Sequence, residues 1–303
     1  MKTRQGRDDR ALRPVISPSL LHYLLSLKAI GLGYRLSDKL KILIDRLLLV
    51  TYPLNFYCYR HFGRTLLDPH KIISDYCCRL GNLVFHCPAG ISDMQLSDNY
   101  EPSVKDLVSK VSMGDAVDVG ANFGLFTILL SRRLGEHGTV LSFEPDPFYF
   151  KLLTSNIKMN KCRNVLPINA AAWSSNTKLG LMPHRLGGLG FETKVAESID
   201  VSTVEIPART VDEFLDEFDL KPKFVKIDVE GAEYQVLSGM AGSLRSDRPV
   251  VAFEALSRET LNKCCNFLKN LHYRVRQIDE RNHVGLPETS PTPNEGHRVL
   301  FEG

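Results

Sequence analysis

A chain of 303 residues, 43% hydrophobic and 24% charged, has the balance of an ordinary soluble globular protein, with room for one large α/β domain plus an appendage. The uncharged run at residues 47–59 is interrupted by Pro53 and falls short of the roughly twenty apolar residues a bilayer-spanning helix needs, so a membrane span is excluded there. The net charge of +3 hides an asymmetry: residues 1–80 hold fourteen basic against six acidic side chains, net +8, and the remainder is net −5.

Residues 1–18 are charged, poor in apolar side chains and broken by Pro14 and Pro18, and are expected to be disordered. Residues 20–30 have the look of a short export-signal core. Lys28 interrupts that core and no small-residue cleavage site follows, so a cytoplasmic location is expected, with peripheral membrane contact as an addition. Residues 19–80 read as a basic helical extension. Within it, residues 36–48 form an amphipathic helix with Leu36, Leu40, Leu43, Ile44, Leu47 and Leu48 on one side. Such a face docks on its own domain, dimerises with a second subunit, or lies on a membrane surface, as the local basic charge and Tyr52, Phe56, Tyr57 and Tyr59 suggest. No basic motif interleaved with aromatics accompanies the charge, and no nucleic-acid partner is expected. Seven cysteines without a C-x-x-C pair (Cys58, Cys77, Cys78, Cys87, Cys162, Cys264 and Cys265) fit a reducing compartment.

The remainder, residues 81–303, follows a strand–helix rhythm. Residues 83–87 suit a short strand and residues 102–111 a helix. Residues 115–127 then set the reading of the whole chain. Ala116, Val117 and Val119 form an apolar run that ends in a glycine turn, and apolar residues at 123, 125, 126, 129, 130 and 134 mark a helix after it. A turn of this kind leaves backbone N–H groups free at the helix N-terminus. Gly120, Asn122 and Gly124 follow a G-x-N-x-G spacing. The third glycine of the dinucleotide pattern falls on Phe126, whose bulk argues against a nicotinamide cofactor. Asp118 before the turn can accept from an ammonium group, which suits an amino-acid-bearing nucleoside. Residues 139–144 form the next strand, ending in Glu144, twenty residues beyond Gly124 and placed to accept from both ribose hydroxyls. Asp146 and Pro147 start a helix that runs to about residue 160. Residues 165–169 make a third strand, and Asn169 with Ala170 are candidates for the edge of the adenine.

These pieces resemble the FkbM-type S-adenosylmethionine (SAM)-dependent methyltransferases. The resemblance rests on Asp118-Val-Gly-Ala-Asn-Phe-Gly124, Phe143-Glu-Pro-Asp-Pro147, Asn156 with Asn160, and Val225-Lys-Ile-Asp-Val-Glu-Gly-Ala-Glu233. Gly90-Ile-Ser-Asp93 matches more loosely, and the match begins near residue 80. It implies an α/β, Rossmann-like class I methyltransferase fold: a seven-stranded, mostly parallel sheet with helices on both faces, preceded by the helical extension. It also implies SAM as cofactor and a hydroxyl acceptor, a small molecule or a glycan, on a sugar, glycolipid or secondary metabolite.

Residues 176–209 break the rhythm. Residues 178–182 and 201–207 look extended around the glycines of residues 186–190, a lid or a plain hairpin. A helix at 210–218, a fourth strand at 224–229, a helix at 230–244, a fifth strand at 250–256 and a helix at 261–271 follow. Residues 274–279 and 298–302 close the sheet across a proline-rich loop at 286–294. Parallel sheets bind ligands at the carboxyl ends of their strands, which collects Asp118, Glu144, Asn169, Asp228, Glu230 and Glu254 along one edge. A hydroxyl acceptor needs a base, worth about 10²–10⁴-fold. Asp228 is the first choice and Glu230 the second, with a role for Glu230 at the start of its own helix as the structural alternative. His184 is an outside candidate. No metal is assigned, although Asp228 and Glu254 on adjacent strands would also suit Mg²⁺. The chain lacks the Asn/Asp-Pro-Pro-Tyr/Phe element of many amino-group methyltransferases, which favours an oxygen acceptor. The competing readings are a non-catalytic scaffold that keeps the cofactor fold and an NAD-dependent oxidoreductase.

Overall fold

Alternating apolar strands and amphipathic helices build a sheet that is covered on both faces in the computed structural model, as continuous apolar strands require. The structure describes residues 27–49, 72–73, 75–88, 95–182, 194–196 and 204–288. A helix, α1 (Leu36–Leu49), and a hairpin of β1 (Tyr76–Leu80) and β2 (Leu83–Cys87) come first, then α2 (Pro102–Lys110). The core alternates β3 (Asp115–Val119), α3 (Leu125–Leu134), β4 (Val140–Phe143), α4 (Pro147–Met159) and β5 (Val165–Ile168). Four short strands follow: β6 (Ala171–Ala172), β7 (Thr177–Met182), β8 (Lys194–Ala196) and β9 (Val204–Arg209). The second half holds α5 (Val211–Glu217), β10 (Pro222–Ile227), α6 (Glu233–Ser238), α7 (Ala241–Ser246), β11 (Val250–Glu254), α8 (Arg258–Asn270), β12 (Tyr273–Gln277) and β13 (Asn282–Pro287).

Seven strands pair in the order β12-β13-β11-β10-β3-β4-β5, and β13 runs antiparallel to both of its neighbours. The strand order reverses between β3 and β10, which places the ligand crevice at their carboxyl ends. On one face Val117, Leu141, Val225 and Val251 pack against Val236, Leu244 and Leu268; on the other Ala116, Val140 and Phe224 pack against Val108, Phe126 and Ile128. Ile42 of α1 and Tyr76 of β1 lie in this second cluster, so the helical extension is continuous with the main core. Asn156 and Asn160, quoted above only as motif letters, turn out to replace a missing strand. The Asn160 amide donates to Val84 O and accepts from Val84 N–H, and the Asn156 amide does the same at His86. Asn156 also donates to Phe123 O, which ties the hairpin edge to the glycine turn.

Several expectations need correction. Among the described residues the antiparallel partner of β12 is β13, a tight return at a place expected to begin a proline-rich loop; residues 298–302, expected to be that partner, lie outside the described residues. The helix expected over 230–244 is broken into α6 and α7, because a Cβ at Gly239 would sit 1.9 Å from Trp173 O and the chain turns there to pass that carbonyl. The insertion is a separate four-stranded sheet of order β6-β9-β7-β8, with extended pieces at β7 and β9 as expected. Residues 1–18, Tyr52, Phe56, Tyr57, Cys58, Tyr59, Gly90 to Asp93, His184 and the glycines of 186–190 lie outside the described residues.

Candidate functional site

The turn after β3 is shaped by its glycines. Gly120, Asn122 and Gly124 all adopt positive φ. A Cβ on Gly120 would lie 1.8 Å from the Asp228 carbonyl oxygen, so the cofactor-type turn and the loop after β10 are in direct backbone contact. Glu144, just past β4, closes the turn from the other side. Its carboxylate accepts from the Asn122 N–H at 2.8 Å and from the Asp146 N–H at 2.9 Å. Burial dominates its titration and pushes it up to about 8, against the pull of those two donors. A carboxylate has four lone-pair sites, so two remain for further donors. Asn169 donates through its side chain to the backbone oxygens of Glu144 and Pro145, and Ala170 beside it is buried.

Asp118 sits deeper than its motif position suggests. It is 1% exposed, accepts from the Thr127 hydroxyl at 2.6 Å, and leaves Oδ1 buried and unpartnered among the described residues. Burial raises its pKa.

The second half of the edge is organised around a residue the sequence reading passed over. Lys226, in the middle of β10, is buried, and its ammonium donates to Asp228 at 3.0 Å and lies 4.6 Å from the centre of the Phe126 ring. Burial alone would lower its pKa, but Asp228, Glu101 and Asp118 together hold it above the usual lysine range. Phe126, noted above for its bulk, is thus half of a cation–π contact. Glu101 enters from the start of α2 at positive φ; burial and nearby Asp228 outweigh Lys226 and raise it to about 7. Glu254, at the end of β11, is raised to about 8, first by burial and then by Asp228, with which it shares a hydrogen bond. Asp228, Glu230 and Glu254 bring one oxygen each to within 4.8 Å of one another. Glu230 does not begin a helix: it sits in the loop at φ 54°, and Glu233 of α6 instead accepts from the Gly231 N–H.

The structure therefore gathers Glu144, Gly120, Asn122 and Gly124 at one half of the edge and Asp228, Glu230 and Glu254 at the other. A charge set among Phe224, Val225 and Ile227 in an apolar central strand was the signal for Lys226. Glu101, ahead of a proline-started helix, gave none.

The family model described as the methyltransferase FkbM domain matches residues 118–282. The chain belongs to the FkbM methyltransferase family. It is 31% identical over 131 residues to the hexuronic acid methyltransferase AglP of Haloferax volcanii, covering 43% of this chain and 51% of that protein. It is 28% identical over 143 residues to methyltransferase 1 of Beauveria bassiana, covering 41% and 57%. The chain thus spans about half the length of the relatives it matches. Among solved structures, the FkbM methyltransferase of Methylobacillus flagellatus aligns with a TM-score of 0.43 at 19% identity, over 57% of this chain and 43% of that one. Membership in the FkbM family supports SAM as the cofactor.

Proposed function

We propose that this FkbM-family chain is a SAM-dependent O-methyltransferase acting on a hydroxyl of a sugar, glycolipid or secondary metabolite, with residues 81–303 as the methyltransferase domain behind the extension at 19–80. The observation that carries it is the backbone contact between Gly120 and Asp228, which sets a half-buried cluster of proton-accepting carboxylates directly against the glycine turn. The residues suit the cofactor. Glu144 keeps two acceptor sites for ribose hydroxyls, Asn169, bonded to Glu144 O, and buried Ala170 would border the adenine, and the turn of Gly120, Asn122 and Gly124 has no room for a side chain at Gly120. Asp118 keeps one unpartnered buried oxygen for a donor. When bound, SAM supplies an electrophilic methyl group on a sulfonium.

The chain's own work is positioning and proton transfer. Lys226 fixes the Asp228 carboxylate through its 3.0 Å ion pair, and Asp228, still partly exposed, is the group that meets the acceptor hydroxyl. Glu254, hydrogen-bonded to Asp228, completes a pair that takes up the hydroxyl proton, and Glu230 lies within reach of both. The relative from Haloferax volcanii is named for methylating hexuronic acid, which favours a glycan acceptor here. A second reading places Mg²⁺ among Asp228, Glu230 and Glu254, whose three hard oxygens suit that ion. The test is transfer of labelled methyl from SAM to a panel of hexuronic acids and glycosides. Asp228→Asn should lower kcat about 10²-fold or more with little change in SAM affinity; full turnover by that variant would remove Asp228 as the base, and loss of turnover with EDTA would select the magnesium reading.

A further inference from the structure

The helix α1 is inside out. A surface helix of a globular protein turns its apolar stripe to the core and its charges to water. In α1 the buried side carries Asp38, Ile42, Asp45 and Arg46, while Leu36 is 83% exposed, Leu40 57%, Ile44 38% and Leu47 64%. At about 100° per residue, positions 36, 40, 44 and 47 fall on one stripe. Scattered exposed leucines need no explanation, but four aligned on a fourteen-residue helix do. The inward aspartates are fixed in place. Asp38 accepts from the Arg35 and Cys77 N–H groups, and Asp45 accepts from the Tyr76 hydroxyl at 3.0 Å. Among the described residues the helix therefore docks on its own domain through Asp38, Ile42 and Asp45 and leaves the stripe from Leu36 to Leu47 uncovered.

Charge decides what covers that side. Both acidic residues of the helix point inward and Lys41 donates to Asp75 O at 2.9 Å, whereas Lys39 flanks the stripe and Arg35 precedes it. A second copy offers these cations no carboxylate from its own helix, and a parallel pairing would set them against one another. An anionic surface would meet them with opposite charge, and residues 1–80 add their net +8. We propose that α1 is an in-plane anchor whose Leu36, Leu40, Ile44 and Leu47 enter the interface of an anionic lipid bilayer while the flanking cations meet its headgroups. The helix lies on the membrane and does not cross it: among the described residues no helix is long and apolar enough to span one. This inference is independent of the methyl-transfer reading.

The test is sedimentation of the full chain with phosphatidylcholine vesicles, with and without phosphatidylglycerol, at low and high salt. Wild type should pellet with the anionic vesicles at low salt and be released by high salt. Leu40→Glu/Leu47→Glu should weaken vesicle binding about tenfold or more, and Arg35→Glu by a smaller factor, both with an unchanged melting temperature because Leu40, Leu47 and Arg35 are exposed. The proposal is overturned if wild type stays in the supernatant, if the Leu40→Glu/Leu47→Glu protein still pellets fully, or if neutral vesicles bind equally well. A dimer by light scattering that Leu47→Glu splits would give the face to a second copy. A Leu40→Glu/Leu47→Glu protein that binds no less but melts earlier would give it to other parts of the same chain.

Discussion

At the β3–β4 half of the edge, a buried carboxylate is met by backbone: Glu144 takes two N–H groups and no cation. At the β10–β11 half, carboxylates cluster instead around one buried ammonium, with Asp228, Glu101 and Asp118 all acting on Lys226. The difference follows from what each half must do. Fixed amides orient an acceptor without adding net charge, which suits the holding of neutral ribose hydroxyls. A cluster with more carboxylates than cations holds a proton near neutral pH, which suits a group that must take one up. The backbone-held half should therefore be sensitive to shape and the ammonium-held half to charge.

The largest expected effect follows from breaking the charge. Lys226→Met removes the cation from a buried set of carboxylates and should cost about 3–5 kcal/mol in urea unfolding, with methyl transfer falling at the same time. Breaking the shape comes next. Gly120→Ala forces a Cβ onto the Asp228 carbonyl in a backbone region that disfavours side chains, and should cost about 2–4 kcal/mol. Asn156→Ala orphans His86 N–H, His86 O and Phe123 O beneath the turn, and about 1–3 kcal/mol should be lost.

The smallest effect sharpens the comparison through pH. Glu254 is raised to about 8, so the pair with Asp228 still holds a proton at neutral pH. That proton must leave before the pair can accept another, so kcat should rise with pH through about 8. Glu254→Gln keeps the shape without the titration and should flatten the rise. The linkage to stability has the opposite sign. A carboxyl whose folded pKa is raised stabilises the fold fully below its unfolded value near 4.5 and loses that contribution as pH climbs through about 8. Wild type should thus become less stable over this range, and Glu254→Gln less affected.

Much of this was legible in the chain. Apolar runs announced β3, β4, β10 and β11, with a glycine turn after β3, and Asp146 before Pro147 announced α4, whose Phe148 N–H it caps. The fold agrees because central parallel strands have one simple pattern. Where the reading failed, the cause was a tertiary contact with no local signature. The break at Gly239 depends on a carbonyl sixty-odd residues away, and β13 forms at once because the hairpin needs no proline-rich excursion. The amphipathic pattern of α1 was correctly seen, but periodicity finds a stripe and not its direction; Asp38 and Asp45, which bond inward, reverse it. Lys226 was read as part of a motif, and its charge became meaningful only once β3 placed Asp118 beside it.

Calorimetric titration with SAM, S-adenosylhomocysteine and NAD⁺ tests the central claim most directly. Micromolar binding of the first two is expected, abolished in Glu144→Ala. It should release protons near neutral pH, because donors to Glu144 favour its ionised form. Tight binding of NAD⁺, or SAM binding that survives Glu144→Ala unchanged, would contradict it.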